Sequence, residues 1–149
     1  MSYNPIYASK VSLGSSRQTQ TGYVNGTASS FSAGTPVSVN SVGNMVLLDV
    51  SNEALVQGFL GLTSIAAPSG AQGLVVNAGR LEGFNLGFSI GDAIYAGPTP
   101  GTLTNVKPDL TVTGWSSGMF IYFLGAYVSN QFDSTLYDIQ LMPTLIGQL

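Results

Sequence analysis

Seven carboxylates carry most of the acid–base chemistry open to this chain: Asp49, Glu53, Glu82, Asp92, Asp109, Asp133 and Asp138. Glycoside cleavage needs two such groups about 5 to 9.5 Å apart across a sugar. The sequence leaves a pair of that kind open, with Glu82 as one candidate member. The plainer reading assigns the carboxylates to turns and caps, because Asp92 follows Gly91, Asp109 follows Pro108, and Glu53 stands where a short helical turn would begin. Asp133, Ser134 and Asp138 could offer oxygen ligands to calcium, yet no spacing resembles the Asp-x-Asn-x-Asp-Gly-x₅-Glu loop. The chain has no histidine and no cysteine, so Ser-His-Asp and Cys-His triads, Cys/His zinc sites and disulfides are excluded together. No Gly-x₄-Gly-Lys-Ser/Thr and no strand-linked Gly-x-Gly-x-x-Gly is present to cradle phosphate. The expectation is a protein that is not an enzyme and holds no metal and no cofactor.

Charge points the same way. Charged residues make up 7% of the chain, against about 25% in an ordinary soluble domain. Four Lys and Arg with a net charge of −3 cannot build the basic track that phosphate binding requires, so neither nucleic acid nor an anionic membrane is an expected partner. The N-terminus, Met1-Ser2-Tyr3-Asn4-Pro5, lacks a basic head followed by an apolar run, which predicts synthesis in a cytoplasm without a signal peptide. The longest strongly apolar stretch, Gly118 to Val128, is shorter than the roughly 18 to 20 residues of a spanning helix.

The elements that must position these side chains are strands. The 149 residues suit one domain. From Phe31 onward, short runs of Val, Ile, Leu and aromatics are punctuated about every eight to twelve residues by Gly, Pro, Asn or Ser. This pattern predicts an all-β fold, an antiparallel β-sandwich or barrel-like domain spanning 31–149. Strands are expected at Thr35–Asn40, Asn44–Val50, Val56–Thr63, Gly73–Asn77, Arg80–Phe84, Ala93–Tyr95 and Met119–Val128, with one short helical turn near Ser51–Leu55. Residues 1–30 read as a flexible polar N-terminal arm with a hairpin, because Asn25-Gly26 suits a type I′ turn. Asn25-Gly26-Thr27 also spells a glycosylation sequon, and the turn is the preferred reading.

An internal echo runs through the domain. Phe31-Ser32-Ala33-Gly34 returns 57 residues later as Phe88-Ser89-Ile90-Gly91, and Phe59-Leu60-Gly61 returns 64 residues later as Phe123-Leu124-Gly125. Two short matches leave both chance and a duplicated β-unit, 31–65 and 88–129, open.

Aromatic and apolar residues crowd the C-terminal third. In Met119–Leu124 both faces of a strand are apolar, and the tail Ile139–Ile146 stays apolar almost to the last residue. Either the strand crosses the centre of the core or its second face meets another subunit, and an oligomer interface is the simplest cover for the tail. The candidate interface residues are Trp115, Phe120, Tyr122, Tyr127, Leu141, Leu145 and Ile146.

Gly91-Asp92-Ala93-Ile94-Tyr95-Ala96-Gly97-Pro98-Thr99-Pro100-Gly101-Thr102-Leu103-Thr104 is a Gly-Asp-x-Ile-Tyr strand, a Pro/Gly turn and a Leu-Thr return. Upstream lies Leu74-Val75-Val76-Asn77-Ala78-Gly79-Arg80-Leu81-Glu82-Gly83, a Val-rich strand with a Gly-x-Leu-x-Gly step. Over roughly Phe31 to Val128 this style resembles the capsid decoration, or head-stabilising cement, proteins of short-tailed bacteriophages. The resemblance implies a homotrimer on the outer capsid surface of the virion, bound to the major capsid protein and clamping the expanded shell. Chain ends in such trimers often reach the shell, so Tyr3, Ile6 and Tyr7 are candidate capsid contacts. The alternative is a trimeric head-fibre, tail-fibre or receptor-binding domain, although residues 1–30 show no repeated glycines or heptads of a stem.

Overall fold

The structure, a computed structural model, describes residues 19–149. The described residues are nearly all β, arranged as an antiparallel, curled sheet resembling half a barrel. In chain order they form β1 (Thr19–Val24), β2 (Pro36–Val39), β3 (Met45–Leu47), α1 (Glu53–Gln57), β4 (Phe59–Thr63), β5 (Gln72–Phe84), β6 (Ala93–Ala96), β7 (Leu103–Thr104), β8 (Phe120–Ser129) and β9 (Tyr137–Gln148). The strands run β3-β2-β4-β5-β9-β8-β6-β7, and β1 also pairs with β5.

The short helix forms for the expected reason. The Asn52 side chain accepts from Ala54 N at 3.1 Å and Leu55 N at 3.4 Å, satisfying N-terminal donors, and Gly58 ends it after five residues.

Two sequence expectations are corrected. Gly73–Asn77 and Arg80–Phe84 are one strand, β5, because Gly79 at φ +101° carries the chain through a bend instead of a turn. Residues 19–30 belong to the β domain, not to an arm: β1 is laid antiparallel along β5, from Thr19 opposite Ala78 to Val24 opposite Gln72. Asn25-Gly26 is no type I′ turn, which would need positive φ at both residues; neither has it. Asn25 is instead fully buried, its Nδ2 donating to Ser29 O and Ala67 O at 2.8 and 2.9 Å, and its Oδ1 accepting from Thr27 N and Oγ1.

β5 is the hinge of the architecture. Its first half lies between β1 and β4, and its second half pairs with β9. The main core fills the space between the two parts of the sheet with Leu62, Val76, Leu81, Ile94, Tyr127 and Ile139 among its members. A smaller cluster of Phe31, Val37, Met45, Ala67 and Val75 covers the opposite face of the first part.

The two halves of the chain repeat each other's pairing. β2 meets β4 as Pro36↔Leu62, Val37↔Gly61 and Ser38↔Phe59, with a register shift after Val37. β6 meets β8 as Ala93↔Ala126, Ile94↔Gly125 and Tyr95↔Phe123, with the shift after Ile94. Leu62↔Val76 and Thr63↔Val75 return as Ala126↔Gln140 and Tyr127↔Ile139. Gly34 N donates to Thr63 O, and Gly91 N to Tyr127 O, both at 2.7 Å. Every pair keeps the offsets of 57 and 64 seen in the sequence echo.

Candidate interaction surface

Six of the seven carboxylates accept hydrogen bonds from the chain itself, and Glu82 stands exposed on β5. Asp49, Asp109 and Asp133 each accept, at Oδ1, from the backbone N and the side-chain hydroxyl two residues on: Ser51, Thr111 and Thr135. These Asp-x-Ser/Thr turns fix the loop backbone. The hydrogen bonds from Thr111 hold the Asp109 carboxyl below the usual range, as those from Thr135 do for Asp133. Asp92 is lowered by the Asn105 amide and then by Ser89 N, both donating to Oδ2 at 2.9 Å. Glu53 accepts from Gln57 one turn along α1. Among the described residues no group of three or more acidic side chains is placed to hold a metal ion.

Asp138 differs because its side chain is only 2% exposed. Its Oδ2 accepts from Arg80 Nε at 2.7 Å, and its Oδ1 from Asn130 Nδ2 at 2.8 Å and Gly83 N at 3.3 Å. Arg80 Nη2 also donates to Ser129 O. The group ties β5 to β9 and to the end of β8, a structural clip at the junction of the two parts of the sheet.

The aromatic residues divide by strand alternation. Ile94, Ala96, Leu124, Tyr127, Ile139 and Leu141 point into the main core. Their neighbours Ala93, Tyr95, Phe123, Ala126 and Gln140 point outward and are only partly covered. Tyr95 and Phe123 meet edge to face there, ring centres 5.8 Å apart. No charged residue lies between Leu110 and Phe132 or after Asp138, so on the β8 and β9 share of this face the charge is confined to Asp138 at its margin, paired with Arg80, which lies opposite Gln140.

The sequence-derived interface residues separate accordingly. Trp115, Tyr127 and Leu141, at 7%, 0% and 1% exposure, are enclosed by the chain's own core and have no surface left for a partner, which corrects that reading. The Tyr127 hydroxyl accepts from Leu86 N, and its ring stacks on Tyr137. Phe120 and Tyr122 are half-buried against the core; Tyr122 touches Phe59, and burial raises its phenol above the usual value. Leu145 and Ile146 are exposed, at 45% and 57%. Tyr3, Ile6 and Tyr7 lie outside the described residues. The sequence reading missed Tyr95, Phe123 and Met142, which adjoin buried Ile94, Leu124 and Leu141 along their strands.

Beyond Leu141, β9 pairs with β8 on one edge, and among the described residues no strand pairs with the other, because β5 has turned away toward β4. Register shifts at two places and Pro143 interrupt this edge. A missing N–H and bulges are the devices that discourage a further strand from pairing. An open groove of about 470 Å³ runs between this edge and β4, lined by Phe59, Leu60, Asn77, Ala78, Met142 and Pro143 among others, with no titratable side chain in its walls. No helix among the described residues is long and apolar enough to cross a membrane. The Ala93–Thr104 segment forms a hairpin, Tyr95 opposite Thr104 and Ala96 opposite Leu103. No protein-family model matches the chain, and neither a curated protein nor a solved structure does.

Proposed function

We propose that this chain is a non-enzymatic structural protein of a virion, a trimer that binds the outer surface of a tailed-phage capsid and stabilises the expanded shell. The observation that carries the reading is the outward face of β6 and β8, where an aromatic pair sits on strands that carry no charged residue, flanked by exposed Met142 and Ile146. A face of this make-up suits contact with protein better than contact with water or with an ionic ligand. The β6–β7 hairpin adds support, since it is the segment on which the resemblance to decoration proteins rests. Binding the expanded shell and not its precursor stabilises it by mass action, and many sites acting together multiply a modest affinity.

The experiment is co-sedimentation of the purified chain with expanded and unexpanded tailed-phage heads. Saturable binding to expanded heads alone, with a rise in the temperature at which they break, is the expected result. Absence of binding to heads of either form would overturn the reading. Deleting Ser2–Ser12 should abolish that binding while leaving the oligomer intact, as expected if Tyr3, Ile6 and Tyr7 meet the major capsid protein.

A further inference from the structure

We infer that the chain is a tandem of two β-units sharing β5, and that the outward face of the second unit is where another copy of this chain packs. The matching registers make the positions of the two units equivalent: Pro36, Ser38, Phe59, Leu62 and Val76 in the first answer to Ala93, Tyr95, Phe123, Ala126 and Gln140 in the second. The first unit's face is covered. Leu62 and Val76 are fully buried in the main core, and Phe59 packs against it, facing the inner side chains of the second unit. The units therefore stack in the same sense, the inner face of the second on the outer face of the first.

Stacked units need their terminal faces capped. At the first end, Phe31 and Ala67 close over Val37, Met45 and Val75. At the other end the equivalent of a buried face is left with only partial cover. A second copy is the occupant the chemistry favours. In this fold the equivalent face is covered by a β-unit of the same kind, and the charges at its margin, Arg80 and Asp138, are paired with each other, which leaves little like-charge repulsion between copies. Pro143 and the bulges of β9 direct the contact to side chains on the face instead of backbone pairing at the edge. The inference draws on the virion reading only for the number of copies.

The test is light scattering on a sizing column over a range of concentrations, for the full chain and for Phe123→Lys and Ala126→Lys. The expected result is a wild-type multimer, ~46 kDa if three chains of 15.4 kDa associate, and association weakened by on the order of 30-fold or more in both variants. Val42→Lys, at a site 76% exposed on a distant turn, should leave association unchanged. Ala126→Lys keeps the test decisive if Phe123→Lys fails to fold, since it extends a small, partly exposed side chain outward and takes nothing out of the core. A monomeric wild type, or a multimer indifferent to a folded Ala126→Lys, overturns the inference. A monomer that binds expanded heads would sink this inference and spare the virion reading, whereas a multimer sensitive to both variants that binds no head would do the reverse.

Discussion

Replacing Arg80 by Met removes the cation beside the carboxylate of Asp138, whose side chain is 2% exposed while that of Arg80 is 25% exposed. Breaking a buried pair from one side costs about 3 to 5 kcal/mol, because the surviving charge has no compensation. Here Asp138 keeps neutral donors, Asn130 Nδ2 at 2.8 Å and Gly83 N at 3.3 Å, which places the loss near the low end, about 3 kcal/mol. At roughly 2 to 4 °C per kcal/mol for a chain of this size, the melting midpoint should fall by about 6 to 12 °C. Urea unfolding followed by the fluorescence of Trp115, the single tryptophan and a buried core residue, gives the free energy directly. Arg80→Met combined with Asp138→Leu should recover more than half of the loss, since it removes the stranded charge as well as its partner. A loss below about 1 kcal/mol in Arg80→Met, or a double variant as unstable as the sum of its parts, would show that the pair behaves as a surface ion pair and does not clip the sheet.

Gly61 and Gly125 occupy equivalent places at φ +144° and +154°, where an added Cβ would lie 2.1 Å from Val76 O and 2.0 Å from Gln140 O. Ala at either should cost more than about 3 kcal/mol by chemical denaturation, against about 1 kcal/mol for Ala at Gly83, whose φ is also positive but which has open space around it; equal costs at the three positions would refute the close-approach argument. Asp92, Asp109 and Asp133 have folded-state pKa values below the ordinary 3.8, so their stabilisation is present above that value and is lost as pH falls through the lower folded values. A melting-point series from pH 7 to 2 should show a drop at the acid end that shrinks when all three are changed to Asn; an unchanged drop would assign acid sensitivity to other groups. Gly26 N donates to Met45 O at 2.9 Å and the Asn25 amide is buried and bonded, so the nitrogen that would attack that amide is held away. Deamidation at Asn25, read by peptide mass, should be negligible in the folded chain and prompt in urea, and equal rates would show that this corner opens freely.

The β class was legible because Gly, Pro and Asn punctuate runs of branched and aromatic residues, and the seven expected strands all fall on six observed strands or on parts of them. The Ser51–Leu55 turn was legible from its cap, and Asn52 makes the capping bonds. The residues around Gly79 were misread because glycine at a bend and glycine at a turn look alike in a sequence; the pairing of β9 with the second half of β5 decides between them. β1 escaped notice because Thr19–Val24 is polar and partly exposed, and its strand geometry comes from its pairing along β5. For the site, an apolar surplus at the C-terminal end was visible, but not its division between core and surface. Tyr127 and Leu141 are as apolar as Phe123 and Met142, and only the register of β8 on β9 tells which of them point inward.

The equivalent faces of the two units bear on whether the second is merely an exposed copy of the first. Where the first has Leu62 and Val76 it is buried and purely aliphatic; at the same places the second has Ala126 and Gln140, which lower the penalty of facing water. The opposite occurs at Ser38 and Phe59, whose counterparts are Tyr95 and Phe123: the small buried Ser38, whose hydroxyl has no hydrogen-bond partner, is matched by a large aromatic residue facing out. Less aliphatic than an interior, richer in aromatic area and free of charge at its centre, this composition belongs to the middle of a protein–protein contact. That is why the face, and not the apolar tail alone, is the place to break the assembly.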